Sequence, residues 1–289
     1  MRPPSFGISV VPNAVDLEEI RRAVIRADEL GFELVGIQDH PYQVRFVETW
    51  ALLADLLART QRIRVFPDVA NLPLRLPAMI AKQAATLDVL SGGRFELGIG
   101  AGNFWDGIGA MGGPVRSPGE SVDALEEAIS IIRLFWSGES SIAFDGRFYE
   151  VKGLHPGPPT AHDVQIWLGA FKPRMLSLVG RLADGWIPSL PFAPPEQIPP
   201  MKARVDEAAE AAGRDPATIR RLYNVVGSIA DGPVRERLKG PPSHWVEELE
   251  SFFALGFDTV IFWPQGDLVE QIERFASEIA VAFRNLTRG

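Results

Sequence analysis

The chain has 289 residues, 46% of them hydrophobic and 23% charged, which suits one large α/β domain spanning residues 1–289. A net charge of −8 argues against a nucleic-acid surface, where clustered cations supply most of the affinity, and the absence of cysteine excludes disulfides, thiolate nucleophiles and sulfur-ligated metals. The start, MRPPSFGISVV, holds one basic residue and no apolar h-region, and no eighteen apolar residues run together, so a cytoplasmic protein without a membrane partner is expected.

Residues 6–11 read as a short β-branched strand, followed by a helix over 16–30 with Leu17, Ile20, Val24, Ala27 and Leu30 at helical spacing. Asp16 is placed to cap that helix and Gly31 to stop it. The same unit recurs as strand 34–38 with helix 46–58, strand 63–69 with helix 77–90, and strand 95–99 with helix 121–136. After an interruption come strand 165–168 with helix 173–182, strand 185–188 with helix 196–212, strand 222–229 with helix 243–255, and strand 259–262 with helix 268–283. Eight such units with apolar strands predict an α/β fold of the (β/α)8 TIM-barrel type, whose chemistry lies in the loops after the strands. A doubly wound sheet is the runner-up, weakened because GIGAG at 98–102 opens no helix and lacks the G-x-G-x-x-G spacing. Insertions are expected after strand four, at about 103–120 and 139–160, and a Pro-rich loop after strand six, at 189–200. The second insertion reads as a hairpin over 141–151 with Asp145 and Gly146 as a two-residue turn. Such loops are expected to act as lids or substrate walls.

Polar residues stand at the strand ends. Strand two finishes in Gln38, Asp39 and His40, and an imidazole beside a reacting carbon or hydroxyl can act as acid or base. Strand three ends in FPDVAN, which turns Asp68 and Asn71 toward the mouth. The following helix is scaffold, with Ile80, Ala84, Leu87 and Leu90 on one stripe, and Ser91, Gly92 and Gly93 form a structural turn. Gly100, Ala101 and Gly102 leave no bulky side chain between backbone and a flat ligand. Gly169 and Ala170 precede Pro173, with Lys172 and Arg174 nearby, an arrangement that reads as an anion cradle at a helix N-terminus.

Through GIQDH, VANLPLRLP, KQAATLDVLSGGRFELGIGAG, the acidic helix after SPGE, and WLGAFKPRMLSLVGRLADGW, essentially the whole chain resembles the bacterial luciferase-like monooxygenase family. That family comprises barrel oxidoreductases dependent on FMN or coenzyme F420. The resemblance implies a cofactor ring over the barrel mouth, backed by a bulge with a non-prolyl cis peptide at Asp68 and Val69. It implies a phosphate at Gly169, Ala170, Phe171 and Lys172, with Asn71 and Ala101 along the ring or ribityl chain and Gly100 and Gly102 in the same site. Relatives acting on sugar phosphates carry an Asp and His pair matched by Asp39 and His40. Val44 stands near their Trp and Asn103 near their Glu, so a sugar phosphate is not the expected substrate.

The leading expectation is hydride transfer between F420 (or FMN) and an unidentified organic small molecule, with Asp39 and His40 catalytic and Asn103, Phe104 and Trp105 facing the substrate. Met111, Phe192 and Trp263 are candidates for the same apolar wall. The alternatives are an FMN-dependent monooxygenase using reduced flavin and oxygen, and a noncatalytic flavin-binding protein. No metal is expected, because the four histidines are scattered. A stripe of Phe46, Trp50, Leu53 and Leu57 on helix two is core by default and also a candidate dimer face, and a homodimer is expected.

Overall fold

Strands that are apolar on both faces need cover on both sides, and here each is buried between an inner core and a layer of helices. The computed structural model describes residues 2–283. Its barrel strands are β1 (Ser5–Val10), β2 (Leu34–Ile37), β3 (Arg64–Pro67, continued by Ala70–Asn71), β4 (Leu97–Gly100), β5 (Ile166–Leu168), β6 (Gly185–Trp186), β7 (Arg220–Ile229) and β8 (Thr259–Pro264). Each pairs in parallel with its sequence neighbour, and β8 returns to β1, with Phe6 opposite Val260. Between β3 and β4 the contact is split. A single bridge joins Val65 to Phe95 at the lower end, and Ala70 and Asn71 pair with Ile99 and Gly100 at the upper end. The ring of eight is thereby closed, as the spacing of the units predicts.

The helices are α1 (Leu17–Leu30), α2 (Thr49–Arg59), α3 (Pro77–Ser91), α4 (Pro118–Trp136), α5 (Pro173–Leu182), α6 (Ile198–Ala211), α7 (Pro242–Ala254) and α8 (Leu268–Arg274), the last followed by a π-helical turn, Phe275–Ile279. Proline opens α3, α4, α5 and α7, where its missing N–H costs nothing. Gly31 and Gly92, at φ 85° and 69°, end α1 and α3 in left-handed caps. No helix among the described residues is long and apolar enough to cross a membrane.

Five expectations change in detail. Asp16 places no side-chain cap on α1; its carboxylate instead accepts from Asn13 Nδ2 at 3.1 Å. Helix α4 starts three residues early because Ser117 and Glu120 form a reciprocal capping box. The hairpin exists, as Ile142–Asp145 against Glu150–Leu154, but its loop has four residues. Glu127 of α4 accepts the N–H groups of Arg147, Phe148 and Tyr149 at 2.8, 2.9 and 3.1 Å and so stabilises the longer turn. Leu90 is 76% exposed, whereas Ile80, Ala84 and Leu87 are buried. At 3.6 residues per turn Leu90 falls about 80° round the helix from Ile80, off the inward stripe. Trp50, Leu53 and Leu57 are buried in the protein's own core, with Trp50 against Phe95 at 5.6 Å, so that stripe is not a dimer face.

Inside the ring, Leu34, Phe66, Trp167, Ile187, Leu222 and Ile261 form an apolar plug, with Phe66 edge-on to Trp167 at 5.1 Å. Above it lies a polar layer of Ser9, Asp68 and Asn224, directly beneath the upper ends of the strands.

Candidate active site

The backbone after β3 makes a sharp departure. Asp68 and Val69 are joined by a cis peptide, and the Val69 side chain enters the space above the polar layer. Two glycines of β4 make room for it. A Cβ on Gly98 would stand 3.3 Å from Val69 Cγ1, and one on Gly100 only 2.8 Å from Cγ2. The bare backbone at Gly100 thus accommodates the protein's own valine, which then presents an apolar surface upward. Gly102, at φ 91°, faces Pro73 and Trp105 in the same way.

Around Val69 lies a cavity of about 300 Å³ lined by Asp39, His40, Tyr42, Ala70, Asn71, Gly100, Ala101, Gly102, Asn103, Trp105, Pro118, Ser121, Val122, Gly169, Ala170, Phe171, Lys172 and Met175. Residues expected from strand ends two, three, four and five therefore meet in one place. Asp68 sits below the lining and Phe104 behind it, half exposed and packed on the Tyr42 ring at 5.2 Å. Met111, Phe192 and Trp263 are also outside the lining: Met111 is exposed, Phe192 stacks on Phe171 at 5.5 Å, and Trp263 belongs to the barrel interior. Val44 is 97% exposed. A wider cavity, about 720 Å³, lies at the opposite end of the barrel around Phe6, Glu33, Arg220 and Asp258. Its charges are mutually paired, Arg220 Nη2 to Glu33 at 2.9 Å for instance, and the strand ends that carry the candidate residues face away from it.

The two residues at the end of β2 have different surroundings. Asp39 is clamped by Arg75, with Nη1 to Oδ2 at 2.6 Å and Nη2 to Oδ1 at 3.1 Å, and accepts the Asn71 N–H at 2.8 Å. Burial raises its carboxyl, while Arg75 and the Asn71 N–H favour the charged form. A carboxylate held this way orders the β3 exit, and it lines the cavity beside His40. His40 is half buried, its Nδ1 2.7 Å from Tyr42 Oη, and burial holds its pKa below the ordinary histidine value, with Asp39 opposing. Tyr42 is pushed up by burial and by the Asp39 charge, so its phenol is neutral wherever His40 titrates.

Two features mark the cavity as a place for a polar, partly flat ligand. Asn71 Oδ1 is buried and has no hydrogen-bond partner. Helix α5 opens at Pro173 without a side-chain cap, with the exposed Lys172 beside it. Arg174, by contrast, is spent on Asp123 at 2.5 Å. Arg75, Tyr42, Ser121, Val122 and Met175 escaped sequence reasoning. Arg75 lies in the VANLPLRLP run, but nothing in its spacing names Asp39 as its partner, Ser121 and Val122 of α4 follow the first insertion, and Met175 stands in the first turn of α5 with no local signal.

The luciferase-like monooxygenase family model matches residues 4–235. An uncharacterized protein of Mycobacterium tuberculosis is 32% identical over 234 residues, covering 81% of this chain and 77% of that one. An F420-dependent glucose-6-phosphate dehydrogenase of Microbacterium testaceum is 29% identical over 235 residues, 77% of this chain and 68% of that one. Among solved structures, an F420-dependent secondary alcohol dehydrogenase in complex with an F420-acetone adduct superposes with a TM-score of 0.87 at 18% identity, covering 99% of this chain and all 100% of the other.

Proposed function

The chain belongs to the luciferase-like monooxygenase family of oxidoreductases, and on that premise we propose that it transfers a hydride between coenzyme F420, or FMN, and a small organic substrate at the barrel mouth. The observation that carries this reading is the cavity itself. It brings Val69, Asn71, the Gly100, Ala101 and Gly102 backbone and the uncapped start of α5 around one space with His40 at its side. Val69 would back the ring, Asn71 Oδ1 would accept a ring N–H, and the N–H groups at Gly169, Ala170, Phe171 and Lys172 would meet the phosphate. When bound there, the cofactor supplies the redox centre that takes or gives the hydride.

The chain's own part is proton management and shielding. His40 takes the hydroxyl proton of a substrate being oxidised, or returns one to a carbonyl being reduced, at Nε2. Trp105, Phe171 and Met175 exclude water from one side of the cavity, and Asn103 offers an amide where a carboxylate would repel an anion. The Val44 and Asn103 positions do not support a sugar phosphate substrate. The decisive experiment is titration of purified protein with F420 and with FMN, followed by absorbance and fluorescence. Saturable one-to-one binding of either is expected, and no binding of either sinks the proposal.

A further inference from the structure

Asp39 and Asp68 are the two buried carboxyls at the upper ends of the strands, and only one of them has a cation. Arg75 grips both oxygens of Asp39, whereas no cation among the described residues pairs with Asp68. The neighbours of Asp68 come from every side. β1 supplies Ser9, β2 the bare Gly36, β3 the Phe66 ring, β7 Asn224 with Ser189 behind it, and β8 the Trp263 indole, and none of these titrates. The charged groups of the mouth, Asp39 with Arg75 and Lys172, make no hydrogen bond to it. Gly36 makes room for the carboxyl, since a Cβ there would stand 2.9 Å from Asp68 Cβ and 3.1 Å from Oδ2. A carboxylate enclosed without a counter-charge is costly, so burial favours the protonated form. The hydrogen bonds, however, serve both forms. Asn224 Nδ2 donates to Oδ1 at 3.0 Å in either case. Ser9 Oγ lies 3.0 Å from Oδ2 and 3.3 Å from Gly36 O, so it can donate to the carboxylate, or accept the O–H of the neutral acid while donating to Gly36 O. One proton can therefore come or go without movement of a heavy atom.

We propose that Asp68 balances charge for the site: its carboxylate binds one proton from solvent when negative charge enters the cavity above Val69, and releases it when that charge leaves. The inference rests on the reading that F420 or FMN binds there. A hydride carries two electrons and one proton, so a ring that receives it gains one negative charge, and the O–H bond formed at Asp68 Oδ2 offsets that charge. Burial sets the Asp68 carboxyl at about 6, so near pH 7 the empty site is mostly ionised and able to take up a proton.

The test has two arms, both on the full-length protein. Without cofactor, infrared difference spectra between about pH 5 and about pH 8 should show the C=O stretch of a protonated carboxyl that disappears as pH rises and is absent from Asp68→Asn. With F420 or FMN, calorimetry near pH 7 in buffers of different protonation enthalpy should count up to about one proton more taken up by the natural protein than by Asp68→Asn, and more with the reduced ligand than with the oxidised one. A spectrum with no band lost in Asp68→Asn overturns the proposal, as do equal proton counts in the two proteins. If neither F420 nor FMN binds, the hydride-transfer reading falls, and Asn71→Asp decides the present one. That variant places a carboxylate in the same cavity without cofactor, and it should carry the Asp68 band to higher pH, with the double variant Asn71→Asp and Asp68→Asn assigning the band. An unmoved band overturns the proposal.

Discussion

The two rims of the barrel treat buried polar groups in opposite ways. At the lower rim each carboxylate is saturated. Asp28 accepts the N–H groups of Gln61, Arg62 and Ile63 at 2.8, 2.9 and 2.7 Å, Asp88 those of Ala161 and His162 at 2.7 and 3.1 Å, and Glu96 that of Gln165 at 2.7 Å. Burial alone pushes the Asp28 carboxyl up, but the three N–H groups together hold it below the ordinary value. The partnerless groups among Arg64 and Arg221 are single guanidinium nitrogens whose neighbours are paired. At the upper rim Asn71 Oδ1, Asn224 Oδ1 and Trp263 Nε1 lack partners, and Asp68, fully enclosed, is pushed up to about 6 by burial against the pull of Asn224 and Ser9. The lower rim resembles a finished fold, and the upper rim keeps polar groups free to meet a ligand, as expected where barrels place stability and chemistry at opposite ends.

Substitutions can break or sharpen that contrast. Asp28→Ala leaves three backbone N–H groups without an acceptor and should cost about 4 kcal/mol in urea unfolding, with cofactor affinity unchanged in the folded protein. A large loss of affinity would show that the rims are coupled. Arg75→Met is the mixed case, since it strands the buried Asp39 and frees the Asn71 loop. It should cost about 3 kcal/mol and weaken cofactor binding as well.

Asp68 gives a pH test. Its folded pKa lies above the unfolded one, so the native state binds the extra proton, and its contribution to stability is lost as pH rises from about 4 through about 6. Asp68→Asn should therefore gain on the natural protein between pH 4 and pH 7.5, by up to about 3 kcal/mol in denaturant titrations. An equal difference at both pH values would mean that Asp68 is ionised throughout. Smallest is Gly100→Ala, whose methyl meets Val69 Cγ2 at 2.8 Å. Cofactor affinity should fall about tenfold, roughly 1.4 kcal/mol, with little change in Tm. Equal affinity would remove Val69 from the ligand's path.

The eight βα units were legible because strand and helix periods, proline starts and glycine stops are local signals, as Pro173 and Gly92 show. The strand-end clusters were legible too, because barrel topology alone gathers Asn71, Gly100 and Gly169 once the units are counted. What the order of residues concealed is pairing across space. Arg75 clamps Asp39, Glu127 lengthens a turn twenty residues away, and Val69 occupies the room beside Gly100. Tyr42 carries no local signal, and only its 2.7 Å approach to His40 Nδ1 brings it to the site.

The split contact between β3 and β4 makes the ring a bracelet with a clasp. Only the Val65 bridge, with Val65 N–H to Arg94 O at 2.9 Å and Glu96 N–H to Val65 O at 3.0 Å, and the short Ala70 and Asn71 pairing hold that joint. The β6–β7 seam is split as well, with Gly185 and Trp186 on Arg220 and Arg221 and a separate bridge from Ser189 to Asn224, whereas β1–β2, β2–β3, β7–β8 and β8–β1 are continuous ladders of four or more pairs. Amide exchange under native conditions should therefore begin at this joint, with Ala70 and Asn71 losing protection before the long β7–β8 ladder does. The mouth would then breathe by unfastening at β3, the strand that carries Val69 and Asn71, while the remaining seven strands keep their register.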